Sequence, residues 1–309
     1  MRLPLICHAI RWLLPCLLFA AGTPAPAMSP DEARKIFDEG RAAAQAGPAE
    51  IALAGQARLT LPAGHLFVPQ PQAGRVLNAM GNPGQDPRLQ GLIFPQAERE
   101  GWFITVRYEP SGYIRDDDAR DWKADELLAS YREGTEAANQ ERRKMGAPEL
   151  EILGWAEQPA YDAGTHRLAW AMSSREKGAG AGEPQGVNYN TYVLGREGYF
   201  MLNLVTGLAE LPAHKPAAQQ MLAALQFDEG KRYADFVAGT DRVAEYGLAA
   251  LVVGAAAKKL GLLAAAGLFL AKFGKVALLA LAGLGALAAK VFKGRKAKAA
   301  AGSGTPPAA

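Results

Sequence analysis

All 31 acidic residues of the chain lie between Asp31 and Glu245, and no other feature limits its fold as strongly. Charged side chains stay at protein surfaces, so only that middle segment can present a water-facing charged exterior. Against the 31 carboxylates it holds 23 of the 34 Lys and Arg, which leaves it near −8; nine more basic residues lie beyond Glu245. An acidic domain lacks the basic stripe that phosphate backbones require, so no nucleic-acid partner is expected. A basic, apolar tail suits an anionic lipid bilayer instead.

The first residues set Arg2 and Arg11 ahead of an apolar run, Trp12 to Ala21, and small residues ending Ala25-Pro26-Ala27. That order predicts a signal peptide over 1–27, cut after Ala27. The run falls short of the ~20 apolar residues a membrane span needs. Cys7 and Cys16 both lie in the signal, so the exported chain is expected to have neither a disulfide nor a thiolate metal site.

At the other end, 246–292 reads as a hydrophobic helical membrane anchor with its span at about 268–292, followed by a basic and then disordered tail over 293–309. Lys290, Lys293, Arg295, Lys296 and Lys298 cluster at and beyond the end of the span, and positive-inside bias assigns them to the cytoplasm. Gly247, Gly254 and Gly261 recur every seven residues, a spacing that allows close helix approach and a homo-oligomer through the tail.

Between the ends, 28–245 reads as one domain. Ser29-Pro30-Asp31-Glu32 opens a helix to about Ala46, and two short alternating stretches come next at 51–53 and 58–61. Residues 62–84, rich in Pro and Gly, read as loop. Gly101 to Tyr108 alternates as a half-buried strand, and Ala124 to Met145 reads as a long helix. Strands are expected at 151–156, 165–173, 187–194 and 199–205. Leu194 pairs with Tyr199 in the last hairpin, which sets Asn190 opposite Asn203. A helix at 217–225 and a strand near Phe227 complete an α+β fold, an antiparallel sheet with flanking helices.

With these elements placed, Gly112-Tyr113-Ile114-Arg115-Asp116-Asp117-Asp118-Ala119, Gly154-Trp155-Ala156-Glu157 with Tyr161-Asp162, and Asn188-Tyr189-Asn190 through Leu194-Gly195-Arg196 form a recognisable series. Together with Gly134 to Asn139, Arg142 and the run Phe227 to Gly247, they resemble the membrane-anchored bacterial family known as domain of unknown function 2167. The resemblance implies a bacterial exported protein with a C-terminal anchor, and no activity. The signal peptide and the basic cluster together set the expectation of a single-pass inner-membrane protein with its domain in the periplasm and its C-terminus in the cytoplasm, the alternative being a membrane-lying hairpin around Lys272-Phe273-Gly274-Lys275.

No constellation of residues names a reaction. Ser174-Arg175-Glu176-Lys177 has S-x-x-K spacing, but it leaves a predicted strand and has no partner motif. Asp116, Asp117, Asp118 and Asp121 fail the EF-hand pattern, and the histidines His65, His166 and His214 lack zinc-helix spacing, so no metal or cofactor is expected. The leading expectation is a non-catalytic binding or interaction module whose partner is an envelope protein or a small-molecule ligand. Its candidate surface comprises Asp116, Asp118, Asn139, Arg142, Tyr161, Asp162, Asn188, Asn190 and Arg196. Two alternatives stand beside it: an envelope hydrolase pairing Asp116 or Asp118 with Glu157 or Asp162, and an oligomerising tail as the active part.

Overall fold

A computed structural model describes residues 28–253, apart from 83, 98, 99, 121, 145–147 and 181. The signal peptide expected at 1–27, the span at 268–292 and the tail at 293–309 lie outside the described residues. All the described residues fall in one compact unit, which ends at residue 257.

Ser29 opens helix α1 (Pro30–Ala42), its hydroxyl accepting the backbone N–H of Glu32 at 3.2 Å. The helix stops at Ala42, short of the expected Ala46, and strand β1 (Gln45–Ala46) comes directly after it. Strands β2 (Ala49–Leu53) and β3 (Ala57–Leu61) pair as a hairpin over the two alternating stretches. The stretch expected as loop instead contains β4 (His65–Pro69) and α2 (Gln72–Ala79), and β5 (Leu89–Pro95) comes after it with no counterpart in the expected elements. Their signals are weak for physical reasons. Prolines stand at the ends of these elements rather than inside them, and β5 is buried on both faces, so it does not alternate.

The remaining elements are β6 (Phe103–Glu109), α3 (Ala124–Lys144), β7 (Leu150–Asp162), β8 (Arg167–Glu176), β9 (Gly186–Leu194), β10 (Tyr199–Gly207), α4 (Leu211–Ala224), β11 (Leu225–Phe227) and α5 (Leu248–Val253). Pro216 lies inside α4 rather than ahead of it, so that helix begins six residues before the expected start at 217. Eight strands form one antiparallel sheet in the order β1-β4-β5-β6-β10-β9-β8-β7, and β11-β3-β2 form a second, smaller one.

Both faces of the large sheet are covered. On one, Ile104, Val106, Phe200, Leu202 and Leu204 pack against the small sheet and α4. On the other, Val68, Leu92, Phe103 and Val205 pack with α1 and α2, while Leu168, Trp170, Met172 and Met201 pack with α3 and α5. β6 is therefore buried on both faces rather than half-buried: Phe103 and Thr105 are as hidden as Ile104 and Val106.

Candidate functional site

The sequence motifs converge on one structural device. After β11 the chain runs back over the β9–β10 hairpin and the 110–118 loop as a strap. Gly195 bridges Arg232, and the Arg196 backbone N–H donates to Lys231 O at 2.9 Å. The Arg196 guanidinium donates through Nε and Nη2 to both oxygens of Asp241, at 2.7 and 2.8 Å, a fork that matches carboxylate geometry. This hydrogen bonding holds the Asp241 carboxyl down at about 2. Farther along, Tyr113 pairs in parallel with Val243; its N–H donates to Arg242 O at 2.8 Å, and its carbonyl accepts from Ala244 N at 2.9 Å. Gly112 makes that approach possible. Its φ is +90°, and a Cβ there would lie 2.6 Å from Arg242 O.

The strap ends at α5, and Asp118 holds its start. The Asp118 Oδ1 and Oδ2 atoms accept the N–H groups of Leu248 and Ala249 at 3.0 and 3.1 Å. A carboxylate there also complements the positive end of a helix. The side chains of Leu248, Leu251 and Val252 are buried against the domain. The domain thus extends past the expected boundary at Glu245, and the described part of the stretch expected as anchor packs on its own domain.

Asp116 belongs to the same region. It accepts from the Tyr161 hydroxyl at 2.8 Å, and His166 Nδ1 lies 3.1 Å from that hydroxyl oxygen. Because the Tyr161 hydroxyl donates to Asp116, its oxygen remains to accept from His166. Burial, and then Asp116, push the Tyr161 hydroxyl far above its ordinary value. The His166 ring stacks on Tyr233 of the strap at 4.0 Å, Tyr233 stacks on Tyr113 at 4.4 Å, and its hydroxyl donates to Ile114 O at 2.8 Å. His166, Tyr113, Tyr233 and Asp241 lie outside the candidate surface expected from sequence. The signal that points to the last three is their place in the family motifs, 112–119 and 227–247.

The other candidates separate from this cluster. Asn139, fully buried in α3, mimics a strand partner: its Nδ2 donates to Leu150 O at 2.8 Å and its Oδ1 accepts from Leu150 N at 2.9 Å. Arg132 donates to Ile152 O and Leu153 O on the same edge, and Arg142 donates to Pro148 O. Together they close the start of edge strand β7 against foreign strands. Asp162 shapes the β7–β8 turn by accepting from Gly164 N and Thr165 Oγ1. Asn188 and Asn190 lie on the helix-covered face of β9, where Asn190 opposes Asn203 as the alternation requires.

Glu157 is bound to Lys215 of α4, on the face of the sheet opposite Asp116, so those two carboxylates share no site. Ser174 is buried within β8, away from any helix start, and Lys177 pairs with Glu136. Among the described residues no three His, Cys, Asp or Glu side chains could hold a metal ion together. A cleft of about 470 Å³ lies between α3 and β7, and one of about 320 Å³ beside Arg196 and Arg242; Arg132, Lys177 and Arg196 on their walls already have partners.

An antiparallel sheet covered on both faces, with a C-terminal strap pinned across it by polar contacts, defines the chain as an α+β domain. The chain belongs to the family described as protein of unknown function (DUF2167), whose model matches residues 45–284. No curated protein matches it. Among solved structures, it is similar to cyanobacterial PsbP (CyanoP) from Synechocystis sp. PCC 6803, with 13% identity over 60% of this chain and 94% of that one, at a TM-score of 0.36. The Saccharomyces cerevisiae Ran-binding protein Mog1p matches at 11% identity over 58% and 94%, with a TM-score of 0.29.

Proposed function

We propose that the protein is an interaction module of the bacterial envelope, exported by its N-terminal segment and held at the inner membrane by its C-terminal end, with the domain in the periplasm and the C-terminus in the cytoplasm. The observation that carries this reading is the strap. Asp118, Arg196, Tyr113 and Tyr233 fasten 228–253 to the sheet, so the chain enters the apolar, Lys-interrupted sequence beyond Val253 from a fixed point on the domain. A strap that fixes where the chain leaves the domain supports a module held by its C-terminal end. Among the described residues no helix is long and apolar enough to cross a membrane, so the proposed span draws on the sequence beyond Val253.

Photo-crosslinking of the full chain in intact cells, combined with reporter fusions, tests the proposal. A reporter active only in the cytoplasm should give signal after Ala309, one active only outside it should give signal at the strap, and cross-linking should recover a reproducible envelope partner. A silent cytoplasmic reporter on stable protein contradicts the topology, and an empty cross-linking profile contradicts the module.

A further inference from the structure

The cleft of about 320 Å³ combines space, an entrance and an uncompensated charge. Three segments wall it: Pro110 and Gly112 from the 110–118 loop, Arg196 and Glu197 from the β9–β10 turn, and Thr240, Asp241 and Arg242 from the strap. Pro110, Glu197, Thr240 and Arg242 are exposed, so the cleft opens to solvent, while Gly112 is buried. The backbone that carries Arg242 is fixed. Its carbonyl accepts from Tyr113 N at 2.8 Å, and its Cγ lies 3.1 Å from where a Gly112 Cβ would stand. The stem of the side chain is thus placed before a ligand arrives, which lowers the ordering cost of binding.

The charges around this cleft do not cancel. Arg196 is committed to Asp241 at 2.7 Å, and Glu197 to Lys231 at 2.7 Å, so each pair sums to zero. Both Asp241 oxygens already accept from Arg196, and one of them also from Val237 N. The Arg242 guanidinium has no partner among the described residues, which leaves one surplus positive charge facing the cleft. The larger cleft offers no such group, because Arg132 spends its Nε and Nη2 donors on the carbonyls of Ile152 and Leu153.

We propose that this cleft binds one phosphodiester group, the anionic unit of a phospholipid headgroup or of a soluble glycerophosphodiester. A guanidinium presents parallel N–H donors that match the two charged oxygens of such a group, and Thr240 adds a hydroxyl. One surplus positive charge balances one phosphodiester. A polyphosphate, or a run of nucleic-acid phosphates, would bring charges that neither the cleft nor a domain near −8 can balance. The lipid is the source the fold favours. Arg242 is six positions before Leu248, and the six residues of α5 rise about 9 Å, so Arg242 lies at most about 30 Å from the end of that helix. A module held at a bilayer by that end meets headgroup phosphates within this reach, and the inference rests on that reading.

Proton–nitrogen NMR of the full chain in micelles of an uncharged maltoside tests the site, read at the Thr240 amide, with glycerophosphoglycerol and acetate as probes. Glycerophosphoglycerol is expected to shift that signal saturably. Arg242→Gln should weaken binding about tenfold, the worth of one charge-assisted hydrogen bond, and Arg242→Lys by less. Arg34→Gln, which removes an exposed arginine of α1, should leave binding unchanged, and an unchanged Tm in all three variants shows that the fold is intact. Nanodiscs of phosphatidylglycerol without added probe identify the source. A Thr240 shift there assigns the group to the lipid, and a shift confined to the soluble probe assigns it to a glycerophosphodiester. No saturable shift in either setting overturns the proposal, as does equal weakening in Arg242→Gln and Arg34→Gln, or a shift with acetate as large as with the phosphodiester. If the chain cross-links an envelope partner yet gives no shift, the phosphodiester site falls and the module stands. A saturable shift with an empty cross-linking profile has the opposite meaning.

Discussion

Asp118 and Leu248, 130 positions apart, are joined as cap and helix start: the Asp118 carboxylate receives the N–H groups of Leu248 and Ala249. Asp118→Ala should lower stability by about 1 kcal/mol, the usual cost of a lost cap, and Asp118→Asn by less. Gly247→Ala should act in the same direction, since a Cβ there would lie 2.5 Å from Asp118 Oδ2. Thermal melts give the stability, and limited proteolysis should show faster cutting around α5 in both Ala variants.

Arg196 and Asp241 predict an acid limit on the strap. The Arg196 hydrogen bonds, and after them the Val237 N–H, depress the folded Asp241 carboxyl from 3.8 to about 2, so its contribution to stability is present above the ordinary carboxylate range and is lost as pH falls toward about 2. Arg196→Ala should raise the Asp241 titration toward its ordinary range, with the Val237 N–H still holding it partly down. Carbon NMR of the Asp241 carboxyl checks this, and an unchanged midpoint in the variant contradicts the pairing.

Asn139 should prove structural. Replacing it with Leu leaves the N–H and C=O of Leu150 buried and unpaired, at a cost of roughly 2–4 kcal/mol. Asn139→Asp keeps the acceptor but sets a carboxylate against Leu150 O, and should also destabilise. Urea unfolding of the full chain distinguishes this from a surface binding role, in which stability would be unchanged.

The Asp86 network gives a larger effect. Burial pushes the Asp86 carboxyl up, and hydrogen bonds from Arg88 and Arg107 outweigh that and leave it below its ordinary value. Asp86→Ala strands Arg107, whose side chain is only 14% exposed, and should cost roughly 3–5 kcal/mol. Arg107→Met together with Asp86→Ala should recover part of that loss in a double-mutant cycle.

Much of the fold is legible in the residues because its signals are local. Ser29 caps α1, the Leu194–Tyr199 turn fixes register, and Asn190 faces Asn203 by simple alternation. β4, α2 and β5 are not legible, because strands covered on both faces lose the period-two pattern and Pro69 and Pro71 resemble breakers while standing at element ends. The candidates Asp116, Asp118 and Arg196 do meet in one region, yet their partners Tyr161, Leu248 and Asp241 lie 45 or more positions away. Nothing in a linear pattern separates a residue that binds a ligand from one that binds a distant part of its own chain.

Hydrogen exchange at the strap is the most direct test of the central claim, that the strap residues fix the chain's exit to the sheet. In the full chain, the amides of Tyr113, Ala244, Leu248 and Ala249 should exchange nearly as slowly as the β9–β10 core, and those of Leu248 and Ala249 should speed up in Asp118→Ala while the core is unaffected. Exchange at these four amides at the rate of an unstructured linker, in the wild-type chain, would contradict the account.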